Sequence, residues 1–97
     1  MKDEAPIDGT PKFGLGSVVV TPGVIEKLRP TEVFHSLWRH AFGDWGDIHK
    51  NDIGLNEEAL LHGDRRLSVY YSDAGIRFWI ITEADRSATT VLLPEEY

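Results

Sequence analysis

Three runs of β-branched and aromatic residues crowd the last third of the chain: RRLSVYYS (65–72), GIRFWIIT (75–82) and ATTVLLP (88–94). Short polar links, DAG (73–75) and EADRS (83–87), separate them and are of hairpin-turn length. This arrangement constrains the fold more than any other feature. Successive strands joined by such short links pair antiparallel, so residues 65–94 predict a three-stranded antiparallel meander.

A fourth β-branched run, FGLGSVVVT (13–21), precedes the helical part of the chain and predicts a first strand. In TPGVIEKLRP (21–30), Thr21 is placed to cap, Pro22 fits the first helical position, and Pro30 limits the helix to about two turns. PTEVFHSLWRHAFG (30–43) is the clearest helix. Thr31 is a suitable N-cap, Glu32 favours the positive helix start, and Gly43 stands where a terminating glycine belongs. Apolar residues at 34, 37, 38, 41 and 42 form its stripe, with His35 and Arg39 to one side and His40 elsewhere. NEEALLHG (56–63) has the signature of a further short helix, with Asn56 capping and Gly63 stopping it.

The expected fold is therefore α+β: an N-terminal strand, two or three short helices, then the meander, with helices packed on the sheet. Residues 1–12, with Pro6, Gly9 and Pro11 among charges, read as a flexible N-terminal arm, and 13–97 as a single domain. In Phe78-Trp79-Ile80-Ile81, alternate residues point to opposite sheet faces, so both faces receive bulky apolar groups. Either helices cover both faces or one face meets a partner, and coverage is the favoured expectation.

Composition excludes several function classes. The 97-residue chain has no cysteine, which rules out disulfides and zinc-thiolate sites. Its longest apolar run is the four residues from Phe78 to Ile81, too short to span a membrane. The N-terminus lacks an apolar signal-peptide core, which favours a cytoplasmic location. Sixteen acidic residues against ten scattered basic ones give a net charge of −6, which disfavours direct nucleic-acid binding and suits a basic protein partner better.

The stretch HAFGDWGDIHKND (40–52) is densest in chemically capable side chains. As a metal site it fails the alternating oxygen-ligand pattern of calcium loops. Its His40 lies five residues from His35, roughly 140° around a helix, so no paired-histidine motif forms. No metal and no cofactor is expected; GLGS (14–17) precedes a strand instead of following one, so it is no phosphate loop. As a catalytic site the stretch would use His40 or His49 with Asp44 or Asp47 for acid–base work. As a structural connection, Asp44 and Asp47 cap turns, Gly46 lets the chain bend, and Trp45 plugs the core. As a recognition loop, Asp44, Trp45, Asp47 and Asp52 would face a partner. Glu83 and Asp85 in the 83–87 turn would extend that negative surface, with Trp79 as an apolar contact on the sheet's second face; the competing reading makes Asp85 or Ser87 a turn-forming residue.

VVVTPGVIEKL, RHAFGDWGDIHKNDIGLNEEAL, RRLSVYY and WIITEADRSATTVLLPEEY together resemble a family of small uncharacterised, plasmid-related proteins of bacterial plasmids and integrated mobile elements. The resemblance spans about residues 14–97. It implies a bacterial, cytoplasmic accessory protein and carries over no site residues. The expected function is protein binding or regulation without catalysis, through the second sheet face or the acidic loops, and a homodimer is compatible with it. One alternative is an acidic inhibitor of a host defence or nucleic-acid-handling complex, imitating DNA charge, for which −6 is modest. A second alternative is a small hydrolase or metal-dependent enzyme using His40, Asp44, Asp47 and His49.

Overall fold

The computed structural model describes residues 11–46 and 64–97. The Asn56–Gly63 helix expected above, residues Asp47, His49 and Asp52, and all but the last two positions of the N-terminal arm lie outside that range. The described elements run β1 (Ser17–Val20), α1 (Pro22–Lys27), α2 (Pro30–Ala41), β2 (Arg66–Tyr71), β3 (Arg77–Thr82), β4 (Ala88–Leu92) and a closing 3-10 turn (Pro94–Glu96). The class is α+β.

β2, β3 and β4 pair antiparallel in sequence order, but they are not the whole sheet. β1 joins beside β4 in parallel, Val18 opposite Thr89 and Val20 opposite Val91, giving a four-stranded mixed sheet in the order β1-β4-β3-β2. The expected three-stranded meander is thus one part of a larger sheet. The two helices between β1 and β2 supply the crossover that parallel pairing needs. At Gly16 (φ +65°) the backbone passes so close to Arg86 and Ser87 that a Cβ would collide with their main chain, so this approach to β4 requires glycine.

α2 begins one residue earlier than Thr31 would allow. Pro30 occupies the first turn, where its fixed φ is helical, and Arg29 becomes the N-cap. Glu32 accepts the Arg29 N–H at 3.0 Å and the Asp73 N–H at 2.6 Å, tying the helix start to the β2–β3 turn. Those two backbone donors hold its carboxyl below the usual range. Thr21 does precede α1, but its hydroxyl does not cap the helix; it donates to Glu96 Oε1 at 2.6 Å. The Glu96 carboxylate accepts the N–H groups of Gly23 (2.9 Å) and Leu93 (2.9 Å), so the far end of the chain caps the first helix.

Strand alternation sorts the sheet residues. Facing the helices are Arg66, Ser68 and Tyr70 on β2, Phe78, Ile80 and Thr82 on β3, and Thr89 and Val91 on β4, paired across the sheet in register. Val24 of α1, Leu28 at its C-cap, and Val33 and Leu37 of α2 pack on Tyr70, Phe78, Ile80, Val91 and Leu93. On the opposite face Val69, Ile81 and Leu92 are buried and Trp79 half-buried, its ring meeting Tyr97 edge-on at 5.6 Å. Leu67, Trp79, Ile81 and Tyr97 line a hollow of 330 Å3 on that second face, and the described helices pack on the other one. No described helix is long and apolar enough to cross a membrane.

Candidate functional site: an apolar helix–strand face

Of the residues expected to carry chemistry, the described ones make the following contacts. The Asp44 carboxylate accepts two hydrogen bonds from the Arg39 guanidinium, at 2.7 and 3.1 Å, and one from the Gly46 N–H at 3.1 Å. The Arg39 bond, chiefly, holds its carboxyl below the usual range. Its backbone carbonyl accepts the buried Tyr70 hydroxyl. Trp45 is 3% exposed, stacks on Phe13 at 6.3 Å and meets His40 edge-on at 5.7 Å. The chain then passes β2 so closely at Gly46 (φ +71°) that any Cβ would strike the Val69 carbonyl.

In the β3–β4 turn, Asp85 accepts the Ser87 N–H at 2.9 Å, and Ser87 lowers its carboxyl's pKa. Arg86 takes positive φ and folds back, donating to the carbonyls of Asp64 (2.7 Å) and Glu83 (2.8 Å). Glu83 lies 3.5 Å from Arg65. Asp44 and Glu83 thus each face a cation. Asp47 and Asp52 lie outside the described residues, as does His49.

Among the described residues, the side-chain partners of His40 are hydroxyls. Fully buried, it places Nδ1 2.5 Å from the Ser68 hydroxyl and Nε2 2.9 Å from the Thr82 hydroxyl. Thr82 lies 2.7 Å from Thr89, which donates to the Leu15 carbonyl at 2.7 Å. This relay assigns the protons. A carbonyl only accepts, so Thr89 donates outward, Thr82 donates to Thr89, and His40 Nε2–H donates to Thr82. Nδ1 is then the acceptor for Ser68. Burial, followed by the nearby Arg66 and Arg86 charges, pushes the imidazole pKa down to about 3, so the ring is neutral.

A serine hydroxyl on a histidine nitrogen is the opening geometry of nucleophilic catalysis. Here both groups are fully buried beneath Phe13 and Trp45, and the buried Arg66 guanidinium lies 3.7 Å from the Phe13 ring centroid. In this arrangement the Ser68 hydroxyl is closed off from solvent. Among the described residues, no group of three or more His, Asp or Glu side chains gathers as for a metal ion.

The outward surface is where the structure departs most from expectation. By periodicity alone the stripe at 34, 37, 38, 41 and 42 would face the core. Instead Val33, Ser36, His40 and Ala41 are buried, while Phe34 is 68% and Trp38 41% exposed. The helix is rolled by about one residue, roughly 100°, because His40 finds hydroxyl partners on β2 and β3. Of the stripe, Ala41 is buried and Leu37 and Phe42 are half-buried.

Phe34, Trp38 and Phe42 consequently line a long apolar hollow. One part, 540 Å3, is completed by Phe13, Leu15 and Val18 beside β1. The adjoining part, 360 Å3, lies between α1 and α2 and is lined by Val20, Ile25 and Phe34 among others. Ile25 is 68% exposed. Sequence reasoning missed these residues as a surface; the available signal was that α2 carries more apolar residues than one core-facing stripe uses.

No protein-family model, curated protein or solved structure matches the chain.

Proposed function

We propose that this protein is a non-catalytic binding protein that receives another polypeptide on the α2–β1 face. The observation that carries the reading is the outward display of Phe34 and Trp38 on a helix whose other side already supplies the core. Side chains of this size, continuous with Ile25 and Val18 across two adjoining hollows, exceed the scattered apolar exposure of an ordinary surface. Buried aromatics are also the residues that concentrate binding energy at interfaces.

The acidic-loop reading has less support, since Asp44 and Glu83 are each engaged by an arginine. The resemblance to plasmid and mobile-element proteins makes a bacterial host the setting in which to look. The test is affinity capture from bacterial lysate that also contains the untagged chain, with three tagged proteins: wild type, Phe34→Ser/Trp38→Ser, and Asp44→Asn. Loss of the captured protein with the double variant and retention with Asp44→Asn is the expected pattern. The opposite pattern, with release by moderate salt, would move the binding site to the acidic loop and defeat this reading.

A further inference from the structure

We propose that the polypeptide received on this face is a second copy of the same chain, joined edge to edge through β1 about a twofold axis. The inference rests on the α2–β1 face being a binding surface and names its occupant.

The two edges of the sheet are treated differently. Along β2 the chain itself closes the edge: Gly46 bridges to Val69, and the Val69 N–H donates to the Trp45 carbonyl at 3.0 Å. β1 pairs with β4 on one side and, among the described residues, with nothing on the other. Val18 and Val19 are 45% and 50% exposed. Its sequence, SVVV, contains no lysine, proline or other device that keeps exposed strand edges from pairing.

Charge selects the occupant. From Phe13 to Ile25 there is no charged residue, thirteen positions in a chain that is 27% charged and carries −6. A twofold contact sets residues near the axis against their own copies, so any charge at the seam would repel itself. An uninterrupted neutral seam meets that condition. A partner chosen by a basic or acidic surface would need charges here to read.

The available area is of the right size. The exposed parts of Val18, Val19, Ile25, Phe34 and Trp38 amount to on the order of 500 Å2, matching the apolar share of the ~800 Å2 that each partner gives to a stable interface. An antiparallel β1–β1 junction would continue the sheet across the axis to eight strands. Phe34 and Trp38, which share their hollow with Val18, would be carried to the seam of both copies.

The experiment is sedimentation equilibrium of the full chain from 1 to 200 μM, with wild type, Val19→Lys, and Phe34→Ser/Trp38→Ser, each checked by circular dichroism. Wild type is expected at twice 10.9 kDa, and both variants at the monomer mass with native spectra. If Val19→Lys fails to fold, Val18→Thr/Val19→Thr keeps β-branched residues in the strand and should weaken association at least tenfold. A dimer indifferent to these changes overturns the proposal, because another surface would be joining the copies. A wild-type monomer throughout also overturns it. In that case, loss of lysate capture by Phe34→Ser/Trp38→Ser leaves the binding reading standing, whereas unchanged capture defeats both.

Discussion

Two groups share the helix-covered sheet face and are shielded from water to a similar degree: Phe78 and Ile80, and the hydroxyl residues Ser68, Thr82 and Thr89, with Ser68 directly opposite Ile80. The first pair packs among Val24, Leu28, Val33 and Val91, where burial of apolar area is itself the stabilising term. The second group gains little from burial as such. It is held by a relay from Ser68 through His40, Thr82 and Thr89 to the Leu15 carbonyl, in which every bond offsets a desolvation cost. The contrast teaches that two halves of one core can be equally dry and fail in different ways: one by losing volume, the other by losing a partner.

The strongest way to break the comparison is truncation on the apolar side. Phe78→Ala should cost about 3–5 kcal/mol, read from urea denaturation, as expected for removal of a fully buried ring. A loss below about 1 kcal/mol would mean that this half is not close-packed.

Acid should separate the halves next. His40 is neutral in the folded protein with its pKa near 3, while the unfolded chain takes up the proton near 6.5. The folded-state value is depressed, so this contribution is present above about pH 6.5 and is lost as pH falls towards 3, at about 1.4 kcal/mol per unit. Between pH 6.5 and 4.5 that amounts to about 2–3 kcal/mol. The lowered carboxyls of Glu32, Asp44, Asp85 and Glu96 act in the same direction, from about pH 5 downward. Replacing His40 by Gln should flatten the upper part of the profile. An unchanged slope there would show that another group is titrating.

Thr82→Val sharpens the comparison by keeping shape and deleting one hydroxyl. It strands His40 Nε2–H and removes the donor to Thr89, for an expected loss of about 1–3 kcal/mol. A neutral result would show that the relay contributes little beyond its packing. The smallest effect belongs to the surface. Asp44→Asn weakens a half-exposed pair with Arg39 and should cost about 1 kcal/mol or less. A larger loss, seen in the same denaturation assay, would make the 44–46 turn part of the folding core.

Reading the chain alone identified β2, β3 and β4, because the signal lies within each run: β-branched and aromatic residues bounded by turn-forming ones. α1 and α2 were legible from their prolines and Gly43 in the same way. Parallel pairing of β1 with β4 was not legible. Its register depends on contacts between residues about 70 positions apart, and nothing local to SVVV indicates which strand it will meet.

The phase of α2 was hidden for a related reason. Hydrophobicity alone points Phe34 and Trp38 inward, and His40 and Ser36 outward. That preference reverses once Ser68 and Thr82, 28 and 42 residues along the chain, offer hydroxyls to both imidazole nitrogens. Local sequence therefore determined which segments are strands and helices, since periodicity, capping and turn chemistry act between near neighbours. Tertiary structure decided which sheet edge stays open, which side of α2 is buried, and that Asp44 and Trp45 secure a turn while Phe34 and Trp38 form the surface. Those outcomes depend on partners distant in sequence, and a buried polar group is tolerable only where such a partner is in place.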